Sequence, residues 1–231
     1  MVINNNDRIL IIAAHPDDEI LGCGGLLSKY ANQVETSIVF IAEGDSCRFD
    51  TPELTPLVLE RINHREDCAR EALGLFNITD IEFNKLPCGR LDSVDIIDIN
   101  KIIEKKILSF KPTIILSHYS QDTNNDHRIV SRSVHMSTRP VIGFDMNVLS
   151  FEILSSTEWN LQNPFKPSFF VELSEDDLNK KIDAIKIYDG EIREFPHSRS
   201  SEGVKCLSQY RGMQIGVNYA EAFYVNRIKI Q

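Results

Sequence analysis

The chain has 231 residues, 42% hydrophobic and 26% charged, enough apolar content for one sizeable α/β core and a single domain over 1–231. Lys and Arg total 25 against 34 Asp and Glu, a formal net charge of -9 without a basic block, which argues against nucleic acid as a partner. The five cysteines are odd in number and lack CxxC spacing, which argues against a disulfide framework and a thiolate zinc site and fits a reducing cytoplasm.

In chain order, the first apolar run, Ile9 to Ala14, is too short to span a bilayer and leads at once into His15 and three carboxylates, so neither a transmembrane segment nor a signal peptide is expected. Periodicity predicts a strand near 8–14, a helix over 19–32, a strand over 36–42 and a helix over 57–74 that stops at Leu73-Gly74. A strand over 80–84, a helix over 95–110 ending before Pro112, a strand over 113–118 and a helix over 127–137 follow. Two further strands are expected near 148–154 and 168–172, and a helix over 176–189. This alternation is the pattern of a mostly parallel sheet covered by helices. After about residue 145, Trp159, Pro164, Pro167, Pro196 and the Gly203 to Gly216 stretch predict an irregular C-terminal cap on the sheet. In such sheets ligands bind beyond the carboxyl ends of the strands, where strand order reverses.

His15-Pro16-Asp17-Asp18-Glu19 falls at the first such strand end. With Pro16 in the first helical turn, His15 and Asp18 would converge on one side while Asp17 projects about 100° away from Asp18. The bland alternative is three carboxylates complementing a helix dipole. Gly22-Cys23-Gly24-Gly25 weakens that alternative, because glycines inside a helix mark close approach by another backbone or a ligand.

The second such end runs from His118 to His127, through Asp122, Asn124, Asn125 and Asp126. Turn and N-cap chemistry alone could account for this loop. Two strand ends that each offer His and Asp point instead to a catalytic zinc, which needs three N or O ligands and a fourth position for water. His15, Asp18 and His127 make such a set, with Asp126 orienting a ligand from behind. One zinc per chain is expected, and Fe2+ or Mn2+ also suits two imidazoles and a carboxylate.

These residues resemble the PIG-L/LmbE-like zinc deacetylases, whose hallmark Ala-His-Pro-Asp-Asp-Glu is intact at Ala14 to Glu19. The resemblance extends through Ala42-Glu43-Gly44, Arg65-Glu66, Leu73-Gly74, Asp122 to Arg128 and Phe195-Pro196-His197. It implies a Rossmann-like three-layer sandwich with the metal at the sheet's carboxyl edge. It also implies that His15, Asp18 and His127 are metal ligands and Asp17 is the general base. Where many members carry a histidine three residues before the last ligand, this chain has Asn124; Asn124, His118 and His197 are the alternatives for oxyanion or proton-donor work. The stretches Ser155 to Trp159 and Arg211-Gly212 are similar to the bacterial surface-polysaccharide branch, which implies an N-acetylated sugar substrate in glycan biosynthesis.

Arg48, Arg65, His197 and Arg199 are candidates to grip substrate hydroxyls or a phosphate, against the ordinary reading of solvated or paired surface groups. Trp159 and Phe165 could stack on a sugar ring. Competing readings are a deacetylase of another amide, such as a thiol-sugar conjugate, and a non-catalytic sugar- or nucleotide-binding module. A homo-oligomer is compatible with the sequence.

Overall fold

The computed structural model describes residues 3–50, 53–141 and 145–229. The first half alternates strictly: β1 (Arg8–Ala13), α1 (Asp18–Tyr30), β2 (Glu35–Ala42), α2 (Pro56–Gly74), β3 (Asp80–Leu86), α3 (Ile96–Phe110), β4 (Ile114–His118) and α4 (Asn125–Ser137). The second half contains β5 (Asn147–Phe151), β6 (Phe169–Leu173), α5 (Glu175–Ile187), α6 (Ser201–Met213) and β7 (Tyr219–Arg227).

All seven strands belong to one sheet, in the order β3-β2-β1-β4-β5-β7-β6. The first five in this order run parallel to one another; β7 is antiparallel to both β5 and β6. The chain steps outward from β1 to β2 on one side and to β4 on the other, so strand order reverses between β1 and β4. The loops after these two strands therefore open into the same crevice.

Strand alternation produces the layers. Ile9, Ile11 and Ala13 face one core with α1, α2 and α5, while Leu10 and Ile12 face a second core with Ile99, Ile103 and Ile107 of α3 and Val130 and Val134 of α4. This is the three-layer α/β sandwich expected from the sequence.

The C-terminal part is more regular than expected. The Gly203 to Gly216 stretch is largely α6, capped by the Ser200 hydroxyl, which accepts from the Gly203 N–H. Its glycines read locally as helix breakers but permit close packing: a Cβ on Gly203 would lie 2.1 Å from the Ser198 carbonyl oxygen, and one on Gly212 would lie 2.5 Å from that of Val217. Strand β7 went unread because its centre carries Glu221, which is buried. That carboxylate accepts the Gly25 and Leu26 N–H groups at 2.7 Å each and pairs with Lys181 Nζ at 2.6 Å.

The glycines of α1 also serve packing, against side chains and not against a ligand. A Cβ on Gly22 would strike the Phe151 ring at 2.4 Å, and one on Gly25 would strike Leu173 Cδ1 at 2.4 Å and the Glu221 carboxyl carbon at 2.9 Å. Gly25→Ala is therefore expected to destabilise the fold by about 1–3 kcal/mol, although alanine favours a helix by about 1 kcal/mol. A urea midpoint equal to or above that of the parent would contradict this packing argument.

Candidate active site

The crevice between β1 and β4 is where the two motifs meet. The segment after β1 does not enter a helix at Pro16. Asp17 has φ 130°, and α1 begins only at Asp18. Such a backbone is rare for a residue with a Cβ and costs on the order of 1–3 kcal/mol, a strain that concentrates at functional sites.

Asp18 Oδ2 is the centre of the cluster. It accepts the His15 N–H at 2.9 Å and lies 3.3 Å from His15 Nδ1, 3.4 Å from His127 Nε2 and 3.5 Å from His118 Nε2. The outer nitrogens of the two expected imidazole ligands rest on carboxylates: His15 Nε2 is 2.9 Å from Asp126 Oδ2, and His127 Nδ1 is 3.2 Å from Asp122 Oδ1. Asp126 in turn accepts the N–H groups of Gly89 and Leu91. A carboxylate behind each imidazole fixes its tautomer and orientation.

The charges follow from this geometry. Burial opposes charge on His15, but bonds to Asp126 and Asp18 carry it up to about 10. Burial likewise opposes charge on His127, which Asp18 and Asp122 carry up to about 9. Asp18 resists the upward push of burial and is held well below the carboxylate range by His127, His118 and His15.

The arrangement fits a metal ion. Donor atoms of His15, Asp18 and His127 all lie within 4.8 Å of one another, and Asp18 Oδ1 is buried with no hydrogen-bond partner. Two imidazoles and one carboxylate suit a hydrolytic zinc with an open position. Two other donor sets converge among the described residues: His15 with Cys88 and Asp126, and His64 with Cys68 and Asp189. The first competes for His15, and the second lines one cavity with Arg65 and Glu191.

Asp17 is held by two arginines. Its Oδ2 accepts from Arg199 Nη1 at 2.7 Å and lies 3.0 Å from Arg65 Nη2. Burial nevertheless raises the Asp17 carboxyl above its ordinary value against the pull of both guanidinium groups. Arg65 also donates to the Pro16 carbonyl at 2.9 Å, and Arg199 donates to Ser155 Oγ at 2.6 Å.

Glu191 ties the arginines together, accepting from Arg48, Arg65 and Arg199. Burial would raise its pKa, but the three guanidinium groups bring it down to about 2. A carboxyl depressed in the folded state contributes stability that is complete above its unfolded pKa and is lost as pH falls from about 4.5 towards 2. Glu191→Gln should therefore lower stability at pH 7 and flatten the acid limb in that window. Urea midpoints measured from pH 2.5 to 7 that run parallel to the parent's would contradict this.

The remaining sequence candidates separate. His118 is fully buried, stacked 4.0 Å from the His127 ring, and its Nε2 accepts the Ala14 N–H at 2.8 Å. Burial and the neighbouring His127 push it down to about 3, so it is a neutral ring behind His127. Asn124 caps α4, its Oδ1 accepting the Asp126 N–H at 2.9 Å. His197 is exposed on a turn, and its Nδ1 accepts the Arg199 N–H at 3.0 Å. Trp159 is exposed, whereas Phe165 packs edge-on against Tyr119. Cys23 is sealed in the core. Asp122 and Glu191 were not singled out from the sequence as partners of the site. Asp122 had a local signal, an Asp five residues before a ligand; Glu191 had none.

Residues 10–136 match the family model described as PIG-L: GlcNAc-PI de-N-acetylase. Over 230 residues the chain is 23% identical to a diacetylchitobiose deacetylase of Thermococcus kodakarensis, covering 94% of this chain and 82% of that protein. Among solved structures it is similar to the N,N'-diacetylchitobiose deacetylase of Pyrococcus horikoshii, with TM-score 0.74 and 17% identity over 95% of this chain and 83% of that one. It is also similar to GalB, the 4-carboxy-2-hydroxymuconate hydratase of Pseudomonas putida, with TM-score 0.77 and 19% identity over 97% and 98% of the two chains. At these identities the structural likenesses establish the fold.

Proposed function

From the premise that this chain belongs to the PIG-L family, we propose that it is a metal-dependent N-deacetylase that releases acetate from an acetamido sugar. The observation that carries this reading is Asp17, an arginine-held carboxylate, beside the converging donors of His15, Asp18 and His127. The curated relative that acts on an acetylated disaccharide supports the substrate class.

His15, Asp18 and His127 would hold a zinc ion, and Asp126 and Asp122 would orient the two imidazoles. Such an ion supplies Lewis acidity for the scissile carbonyl and acidifies water. Both arginines bind Asp17 Oδ2, which leaves Oδ1 to take the proton of the attacking water. The same carboxyl then delivers that proton to the leaving nitrogen, so the products are an amine and acetate. Asn124 is the better oxyanion donor: capping commits its Oδ1 and orients its Nδ2, whereas His118 is sealed behind His127. We assign to sugar hydroxyls Arg48, whose side chain also pairs with Glu191, and His197, which is exposed next to Arg199.

No helix among the described residues is long and apolar enough to cross a membrane. A cytoplasmic enzyme of glycan biosynthesis is the setting we propose. Hydratase chemistry on the same fold makes direct detection of product essential. The test is acetate release from free, nucleotide-linked and lipid-linked N-acetylglucosamine and from an N-acetylated thiol-sugar, each with and without a chelator. Metal-dependent acetate release from one of the sugar substrates supports the reading. No release with zinc, iron or manganese supplied would favour the binding-module alternative.

A further inference from the structure

We infer that Cys47 and Cys88 form a reversible oxidation site, a dithiol that closes to a disulfide at the edge of the active site. Their sulfurs stand 3.1 Å apart although 41 residues separate them in sequence. That gap exceeds a disulfide bond by about 1 Å.

The surrounding chain holds both sulfurs in place. The Glu43 carboxylate accepts the Asp45 and Ser46 N–H groups on the Cys47 side at 2.7 and 3.0 Å, and the Cys88 N–H on the other side at 2.8 Å. One buried carboxylate thus ties the two cysteine-bearing loops together. Gly89, which follows Cys88, has φ +70°, and a Cβ there would lie 2.8 Å from Cys47 Cβ. Only glycine lets the two loops approach this closely.

The two thiols have unequal access. Cys47 is exposed and Cys88 is buried. Cys47 is therefore the sulfur that an oxidant in solution reaches first, with Cys88 Sγ 3.1 Å away to resolve the product. Among the described residues, no other pair of cysteine sulfurs is in such contact. Cys23 and Cys68 are buried elsewhere, and Cys206 is exposed on α6.

With a peroxide as oxidant, the Cys47 thiol gives up its proton and its sulfur attacks one peroxide oxygen; the O–O bond breaks and the departing hydroxide takes up that proton, giving a sulfenic acid and one water. The Cys88 sulfur then attacks the Cys47 sulfur, forming the S–S bond as the sulfenic oxygen leaves with the Cys88 proton as a second water. Two thiols are oxidised and one peroxide is reduced. The turn that carries Cys88 also donates the Gly89 and Leu91 N–H groups to Asp126, so the bond would form one residue from the support of His15. The inference holds whichever reaction the site performs.

The test treats the reduced full chain with hydrogen peroxide, blocks the remaining thiols and maps peptides by mass spectrometry. Free thiols should fall from five to three, with a mass loss of about 2 Da, a cross-link joining the Cys47 and Cys88 peptides, and full reversal by dithiothreitol. Cys47→Ser, at an exposed position, should keep its four remaining thiols, whereas Cys88→Ser should stop at a Cys47 sulfenic acid, a gain of about 16 Da without a cross-link. A wild type that retains all five thiols, or links other cysteines instead, would overturn the inference, and so would a mass loss that persists in Cys47→Ser.

Discussion

Asp17→Asn is expected to lower kcat for acetate release by about 10²–10⁴-fold while metal content stays at the parental level. The change is isosteric, and the asparagine oxygen can still accept from Arg199 and Arg65, which now reach Asp17 Oδ2 at 2.7 and 3.0 Å. What it removes is the capacity to take up a proton. Burial keeps the native carboxyl above its ordinary pKa in spite of both arginines, which gives it the basicity the role needs. Asp17 does not face the imidazoles that surround Asp18 Oδ2, so the ligand set is untouched. The measurement is acetate release and metal analysis on one preparation, with a thermal melt to confirm folding. A variant within about threefold of the parent's kcat would remove Asp17 from the role of base, and metal loss in the variant would show that Asp17 supports the ligand set instead.

His127→Ala should have the largest effect on metal retention. About one ion per chain is expected in the parent and close to none in the variant after dialysis, because three donors is the minimum that a catalytic zinc keeps. Asp122→Asn should weaken binding more mildly, by about 10–100-fold, since it removes the carboxylate that fixes the His127 tautomer but leaves the ligand. The alternative donor set makes a sharp contrast. If the ion instead sits on His15, Cys88 and Asp126, His127→Ala will retain it and Cys88→Ser will lose it. Both variants should be assayed by metal analysis under reducing conditions, so that the Cys47–Cys88 pair stays as thiols.

The two effects read different parts of one construction. Loss of a ligand empties the site, whereas loss of the base leaves a loaded site that does not turn over. Glu191 adds a third level. It touches neither the metal ligands nor Asp17 but gathers Arg48, Arg65 and Arg199, two of which grip the base. Its replacement should register first as stability lost at neutral pH, with the difference from the parent vanishing in acid, and only secondarily as altered catalysis.

Much was legible in the sequence because it is written locally. The alternation of Ile9, Ile11 and Ala13 with Leu10 and Ile12 marks a strand buried on both faces, and the repeated strand–helix rhythm implies parallel pairing. Because ligands gather at the carboxyl ends of such strands, the His-Pro-Asp-Asp stretch after β1 and the Asn-Asp-His stretch after β4 are legible as one candidate site. The pattern also placed Asp126 behind a ligand. Only the tertiary structure decided the rest. Arg199 meets Asp17 across 182 residues and Arg65 meets Glu191 across 126, and no local period marks such partners. Strand β7 has a buried glutamate at its centre that reads as solvent-facing until Gly25, Leu26 and Lys181 close around it. His118 looked like a donor at a strand end, but packing against Phe151 and His127 turned it into a neutral prop. Local patterns specify which face of an element is buried. Partner choice for polar and charged groups depends on which distant segment arrives there, and a charge's partner changes its meaning more than its neighbours in sequence do.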